Sequence, residues 1–170
     1  MKTKFLLLLI VIASIAKQSF GQNAEDYINR GRKKLTLKDY KGSIEDNTKA
    51  IELNPKNDTA YNIRGHYRDD SSSIKDFNKA IDLNPSYAEA YYNRGMYYYH
   101  FNKYKEAIEN YNKVIELNPK NEYAYLFRGY AKMFFIGGYL GKPGGACSDW
   151  QKAVELGDIA AKDLIDKYCK

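Results

Sequence analysis

The chain has 170 residues, enough for one domain, and its 44% hydrophobic and 28% charged content is ordinary for a folded protein with a packed core. Its formal net charge is +6, and it drops to +3 without Lys2, Lys4 and Lys17, because the first 21 residues contain no acid. With no Lys/Arg run longer than Arg32-Lys33-Lys34, this excess is too small and too scattered to specify a nucleic-acid or anionic-membrane partner.

The N-terminal residues predict an export signal. Lys2 and Lys4 precede an uncharged apolar run from Phe5 to Ala16, and the small residues Ser19 and Gly21 flank Phe20, so cleavage is expected between Gly21 and Gln22. Twelve apolar residues fall short of the roughly 20 that span a bilayer, and no later segment is apolar enough to do so. No cysteine follows the run, which argues against a lipid anchor. The expected location is the periplasm or the exterior, an oxidising setting in which the two cysteines, Cys147 and Cys169, can pair.

From residue 24 the sequence repeats itself. Lys49 to Pro55 (KAIELNP), Lys79 to Pro85 (KAIDLNP) and Lys113 to Pro119 (KVIELNP) are nearly identical, and Lys152 to Asp158 (KAVELGD) is a degenerate fourth copy. Between them stand YINRG, YNIRG, YYNRG and YLFRG, whose glycines Gly31, Gly65, Gly95 and Gly129 are 34, 30 and 34 residues apart. Each unit reads as two helices. A Gly inside a helix costs about 1 kcal/mol relative to Ala, so its recurrence implies a close helix crossing. Unit position 20 (Ser43, Ser73, Ala107, Ala146) is expected to face it, with Phe77, Tyr111 and Trp150 four residues further on. Each Pro ends its second helix by driving the preceding Asn out of helical geometry.

These residues resemble tetratricopeptide repeats over residues 24–157. The glycines, the small residue and aromatic four apart, Ala50, Ala80, Val114 and Ala153, and the prolines all stand at that family's offsets. The fold expected is all-α, a right-handed α-solenoid of four helical hairpins (24–57, 58–87, 88–121, 122–157) after a signal peptide (1–21). Residues 158–170 form a capping helix with Ala161, Leu164, Ile165 and Tyr168 on its apolar stripe. The second unit lacks four residues at its inter-helix turn, and the fourth has five extra around Gly137 to Gly145. Arg30, Arg64, Arg94 and Arg128 replace the family's usual leucine. Opposite them stand Asp46, Asp76 and Asp149, with Asn110 in the third unit, which predicts ion pairing or capping within the repeat rather than ligand binding. Cys147 opens the last repeat's second helix and Cys169 ends the cap, each about eleven residues from the Gly157-Asp158 turn, so an antiparallel hairpin brings them together as a disulfide.

Catalytic and metal chemistry find no support. His66 and His100 lie in different repeats without a ligand spacing, and Gly137 to Pro143 does not match a phosphate loop. Neither a cofactor nor an enzymatic site is expected. Asn57-Asp58-Thr59 matches a glycosylation sequon, but capping of the next helix by Asp58 or Thr59 accounts for the same residues.

The resemblance implies a concave groove lined by unit positions 2, 5, 9 and 12 of each first helix, taking a protein or peptide partner. Its first half is polar, with Arg32, Asn62 and His66. Its second half is aromatic, with Tyr92, Met96 and Tyr99 in the third unit and Tyr123, Leu126, Tyr130 and Met133 in the fourth. The family's carboxylate clamp does not carry over, since Ile28, Ile63 and Glu89 occupy clamp positions. The alternative to a peptide adaptor is a self-associating structural module that uses the Met133 to Ile136 stretch or another outer surface.

Overall fold

The computed structural model describes residues 23–68, 70–135 and 145–169. The expected export signal, the groove position Asp69 and most of the enlarged loop in the fourth unit lie outside them. Among the described residues every regular element is helical: α1 (Ala24–Thr36), α2 (Tyr40–Leu53), α3 (Asp58–Tyr67), α4 (Ser73–Leu83), α5 (Ala88–His100), α6 (Tyr104–Leu117), α7 (Glu122–Phe135), α8 (Ala146–Glu155) and α9 (Ala160–Tyr168). None of these helices is long and apolar enough to cross a membrane.

The chain forms two compact bodies that divide after Pro55. The first is the α1–α2 hairpin. Asn23 opens α1 with a reciprocal capping box, its side chain accepting from the Asp26 amide at 2.9 Å while Asp26 accepts from the Asn23 amide at 3.0 Å. Lys38 takes a left-handed backbone (φ 59°) in the turn, and Asp39 caps α2 through the Gly42 amide. Ile28 on α1 and Ser43, Asn47 and Ala50 on α2 are buried.

The second body stacks three hairpins and the cap. α3 packs on α4, α5 on α6 and α7 on α8. Successive hairpins meet through α4 with α5 and α6 with α7, and α9 closes the series against α8. The first helices also touch one another, α3 with α5 and α5 with α7. Alanines make this spacing feasible: Ala60, Ala80, Ala90, Ala107, Ala124 and Ala153 are all fully buried. At the end of each second helix the residue before Pro leaves helical geometry as expected, with Asn54, Asn84 and Asn118 near φ −140° and ψ 90°. Asn57, rather than Asp58 or Thr59, caps α3 by accepting from the Ala60 amide at 2.9 Å. Asp58 instead binds the Thr59 amide next to it.

What crowds the recurrent glycines differs from the sequence reading. At Gly31, Gly95 and Gly129 the residue at position 24 lies closest, not the small residue at position 20, and at Gly65 Phe77 shares that place with Asp76. A Cβ on Gly95 would stand 2.8 Å from Tyr111 Cε1, and one on Gly129 would overlap the Trp150 indole. The small residues are buried as well, but they only make room for the ring. Trp150 is fully enclosed and donates from Nε1 to the Leu126 carbonyl at 3.3 Å.

The second hairpin is shorter at its turn end. α3 has 10 residues and α4 has 11, against 13 and 14 for α5 and α6. The turn of the third unit carries Asn102 in the left-handed region (φ 58°), matching Lys38 in the first. The second unit lacks the residues that would make this turn.

Cys147 and Cys169 form a disulfide with their Cα atoms 5.8 Å apart, joining the start of α8 to the end of α9. Ala161, Leu164, Ile165 and Tyr168 pack into the cluster around Trp150, as the amphipathic pattern of the cap requires.

Candidate peptide-binding surface

The arginine of each first helix is fixed within its own hairpin. Arg30 Nε donates to Asp46 at 2.8 Å, Arg64 Nε to Asp76 at 2.8 Å and Arg128 Nε to Asp149 at 2.9 Å, each with a second bond from Nη2. A second cation joins each pair: Lys34 at Asp46, Arg68 at Asp76 and Lys132 at Asp149. Every guanidinium also lies over the Tyr ring three residues earlier, at 4.7 to 5.5 Å. In the third unit Asn110 replaces the carboxylate. It accepts one bond from Arg94 Nε at 2.8 Å while its amide donates to the Glu106 carbonyl. Arg94 and Arg128 also reach the preceding hairpin, donating to Asn78 and Asn112 at 2.7 Å. These arginines hold the fold together, as the opposing aspartates in the sequence predict.

The expected groove residues separate into four groups. Arg32 is exposed on the first body. Asn62 is fully buried, which corrects its placement on a binding surface. Its amide donates to Glu89 Oε1 at 3.1 Å and to the Tyr87 hydroxyl at 3.2 Å, and its carbonyl accepts from Asn93 at 3.0 Å, so it joins α3 to α5. Met133 is also buried, in the Trp150 cluster, and Phe134 beside it stacks on Tyr104 at 5.4 Å. That draws most of the described Met133 to Phe135 stretch inward; Phe135 alone is exposed.

Tyr99 and Tyr130 are half-buried and engaged internally. Tyr99 packs on Tyr104, Phe127 and Phe134, and Tyr130 packs on Trp150 with its hydroxyl pushed up by burial.

The remaining positions line cavities of the second body. Tyr92 and Tyr123 border one of about 540 Å³ together with Glu89, Asn118 and Asn121. Tyr92 meets Phe127 edge-on at 6.1 Å, and burial pushes its hydroxyl up to about 12. Tyr123, 54% exposed, also borders a second cavity of about 420 Å³, which Leu126, Phe127 and the turn Gly157 to Ala160 complete. Leu126 is 8% exposed and serves both the core and this cavity. A third, smaller cavity of about 200 Å³ sits at the shortened second hairpin, where His66 and Met96 are joined by His100, Tyr97 and Phe101.

Sequence reasoning missed Phe127, Ile159 and the two asparagines. Asn118 and Asn121 were readable as helix-end residues, and Asn121 does cap α7 through the Ala124 amide. Their position beside Tyr92 follows only from the stacking of α5 on α7. Ile159, 84% exposed just after the final turn, was the visible signal for the second cavity. Among the described residues no group of three or more His, Cys, Asp or Glu is placed to hold a metal.

Stacked antiparallel hairpins with recurrent small-residue crossings and an amphipathic cap define an all-α helical-repeat solenoid. The sequence matches the family profiles "Tetratricopeptide repeat" over residues 88–121 and "TPR repeat" over residues 69–100. Among solved structures it resembles MamA, at 27% identity over 88% of this chain and 86% of that chain, with a TM-score of 0.73. It also resembles the first TPR of Spaghetti (RPAP3) bound to HSP90 peptide SRMEEVD, at 27% identity over 68% and 95%, with a TM-score of 0.66. The Arabidopsis OM64 TPR domain, at 24% identity over 64% and 93% and a TM-score of 0.62, shares the fold. No curated protein matches the sequence. Residues 69–121 thus carry the tetratricopeptide repeat signature, on a fold shared with tetratricopeptide repeat domains of known structure. Repeats of this kind generally serve as protein-interaction scaffolds without catalytic activity.

Proposed function

We propose that this protein is a non-enzymatic adaptor that binds an extended peptide or a partner helix across the two cavities bordering Tyr123. The observation that carries this reading is the position of Tyr123 itself. It is a half-exposed aromatic that belongs to both cavities, with Tyr92 on one side and Leu126 on the other. Tyr side chains give large contact area at small entropic cost, which suits them to anchor a partner. The peptide-bound RPAP3 domain is a precedent for peptide recognition on this fold. The test is selection of peptides on the purified chain, followed by titration of Tyr123→Ala with helicity followed by circular dichroism. Binding that falls at least tenfold with unchanged helicity supports the surface; peptides that bind the variant equally well defeat it.

The adaptor acts outside the cytoplasm in this proposal. Two observations support this reading: the charged-then-apolar pattern of the first 21 residues resembles an export signal, and the Cys147–Cys169 disulfide suits an oxidising compartment. Sequencing of the mature N-terminus is expected to start at Gln22, and a start at Met1 would defeat the assignment.

A further inference from the structure

The chemistry of the two cavities selects among peptides, and this inference rests on the adaptor reading above. Glu89 borders the first cavity, and Glu122 and Asp158 border the second; among the described residues neither is lined by a Lys, Arg or His. This contrasts with the rest of the chain, which carries an excess of positive charge. It contrasts also with Asp46, Asp76 and Asp149, each buried and held by two cations.

Among the described residues none of the three cavity carboxylates is in an ion pair. Glu89 accepts only from the neutral Asn62 amide, and Asp158 accepts from the Ala161 amide at the start of α9. Their charge is therefore offset by no cation among the described residues. The neighbouring Tyr92, Tyr123, Leu126 and Ile159 supply apolar contact within the same two spaces.

We infer that the partner segment is cationic as well as apolar, with Lys or Arg beside the aromatic or aliphatic side chain that packs on Tyr123. A cation on this surface gains carboxylates that are in no ion pair among the described residues, beside two tyrosine side chains. An acidic segment meets like charge in a partly desolvated setting. SRMEEVD, the peptide held by the RPAP3 domain, has three acidic residues and one basic residue, and so carries the opposite charge to the segment inferred here.

The experiment titrates the full chain with dye-labelled heptapeptides by fluorescence anisotropy. One has Leu and Tyr flanked by two lysines, a second has glutamines in place of the lysines, and a third has glutamates. SRMEEVD is the fourth. The lysine peptide is expected to bind about tenfold tighter than the glutamine peptide at low salt, with the glutamate peptide and SRMEEVD weaker still. The double variant Glu89→Gln, Glu122→Gln should erase most of the lysine preference, read as the ratio of the lysine-peptide to the glutamine-peptide affinity on the same variant. Tighter binding of either acidic peptide, or a lysine preference that survives the double variant, overturns the inference and leaves the adaptor reading standing. If none of the peptides binds, or Tyr123→Ala leaves all of them unaffected, the adaptor reading fails and this inference fails with it.

Discussion

Arg128 and Asp149 face each other across the last hairpin, with Nε 2.9 Å from Oδ2 and Nη2 2.6 Å from Oδ1. Asp149 is almost wholly buried and also receives Lys132 at 2.8 Å. Removing the carboxylate leaves two cations facing each other at the hairpin seam. Asp149→Ala is expected to cost on the order of 3 kcal/mol, whereas Asn110→Ala, which breaks neutral bonds at the matching site of the third unit, costs about 1 kcal/mol. Urea denaturation of the two variants gives the comparison, and equal losses would contradict it.

Acid should weaken the first hairpin. The hydrogen bond from Arg30, and after it Lys34, hold the Asp46 carboxyl below the ordinary carboxylate range, against burial, which acts the other way. In the unfolded chain the same group titrates near ~3.9. A lowered folded value means the unfolded state takes up the proton first. The stabilisation is thus present above about pH 4 and is lost as pH falls through the folded value. Melting temperatures between pH 2 and 7 should show a smaller acid-induced drop for Asp46→Asn than for the parent.

Tyr111 is enclosed beneath α5 with its hydroxyl unpartnered among the described residues, and burial pushes that hydroxyl well above its ordinary range. Tyr111→Phe removes an unsatisfied polar atom and keeps the ring that fills the space beside Gly95. Stability is expected to stay the same or rise by up to about 1 kcal/mol. A loss of similar size, measured calorimetrically, would show that the hydroxyl has a stabilising partner.

Gly95→Ala is expected to destabilise by about 1 to 3 kcal/mol, although Ala is the better helix former. The added Cβ would stand 2.8 Å from Tyr111 Cε1, closer than packed carbons approach. Combining it with Tyr111→Leu, which shortens the opposing side chain, should recover part of the loss in the same denaturation assay. Strict additivity of the two changes would argue against the contact.

The disulfide fastens the cap. Cys147 and Cys169 are 22 residues apart, and closing a loop of that length restricts the unfolded chain by about 3 kcal/mol in the chain-entropy account. Reduction should lower the melting temperature, and thiol titration of the denatured protein should find two free groups only after reductant.

The helices and their ends were legible because the 34-residue period places Pro, Gly and the Arg–Asp partners at fixed offsets, and local backbone chemistry decides those positions. The disulfide was legible for a related reason: an antiparallel hairpin converts equal distances from a turn into proximity. The binding surface was legible in part. Position 5 of the units holds Ile28, Asn62, Tyr92 and Leu126, and the offset alone assigns them all to the groove; Asn62 is buried because Glu89, Tyr87 and Asn93 offer it bonds from the next hairpin. Met133 is taken up by the Trp150 cluster, to which the cap contributes Ala161. Such positions depend on which neighbour arrives across an interface, and a single repeat carries no record of that.

The bonds from Arg94 to Asn78 and from Arg128 to Asn112 span the same 16 residues backwards along the chain. One guanidinium therefore secures its own hairpin and also clasps the one before it. A duplicated segment would arrive with its adhesive built in, so an array of such units can lengthen by copying alone, without a new joint having to be invented at each addition.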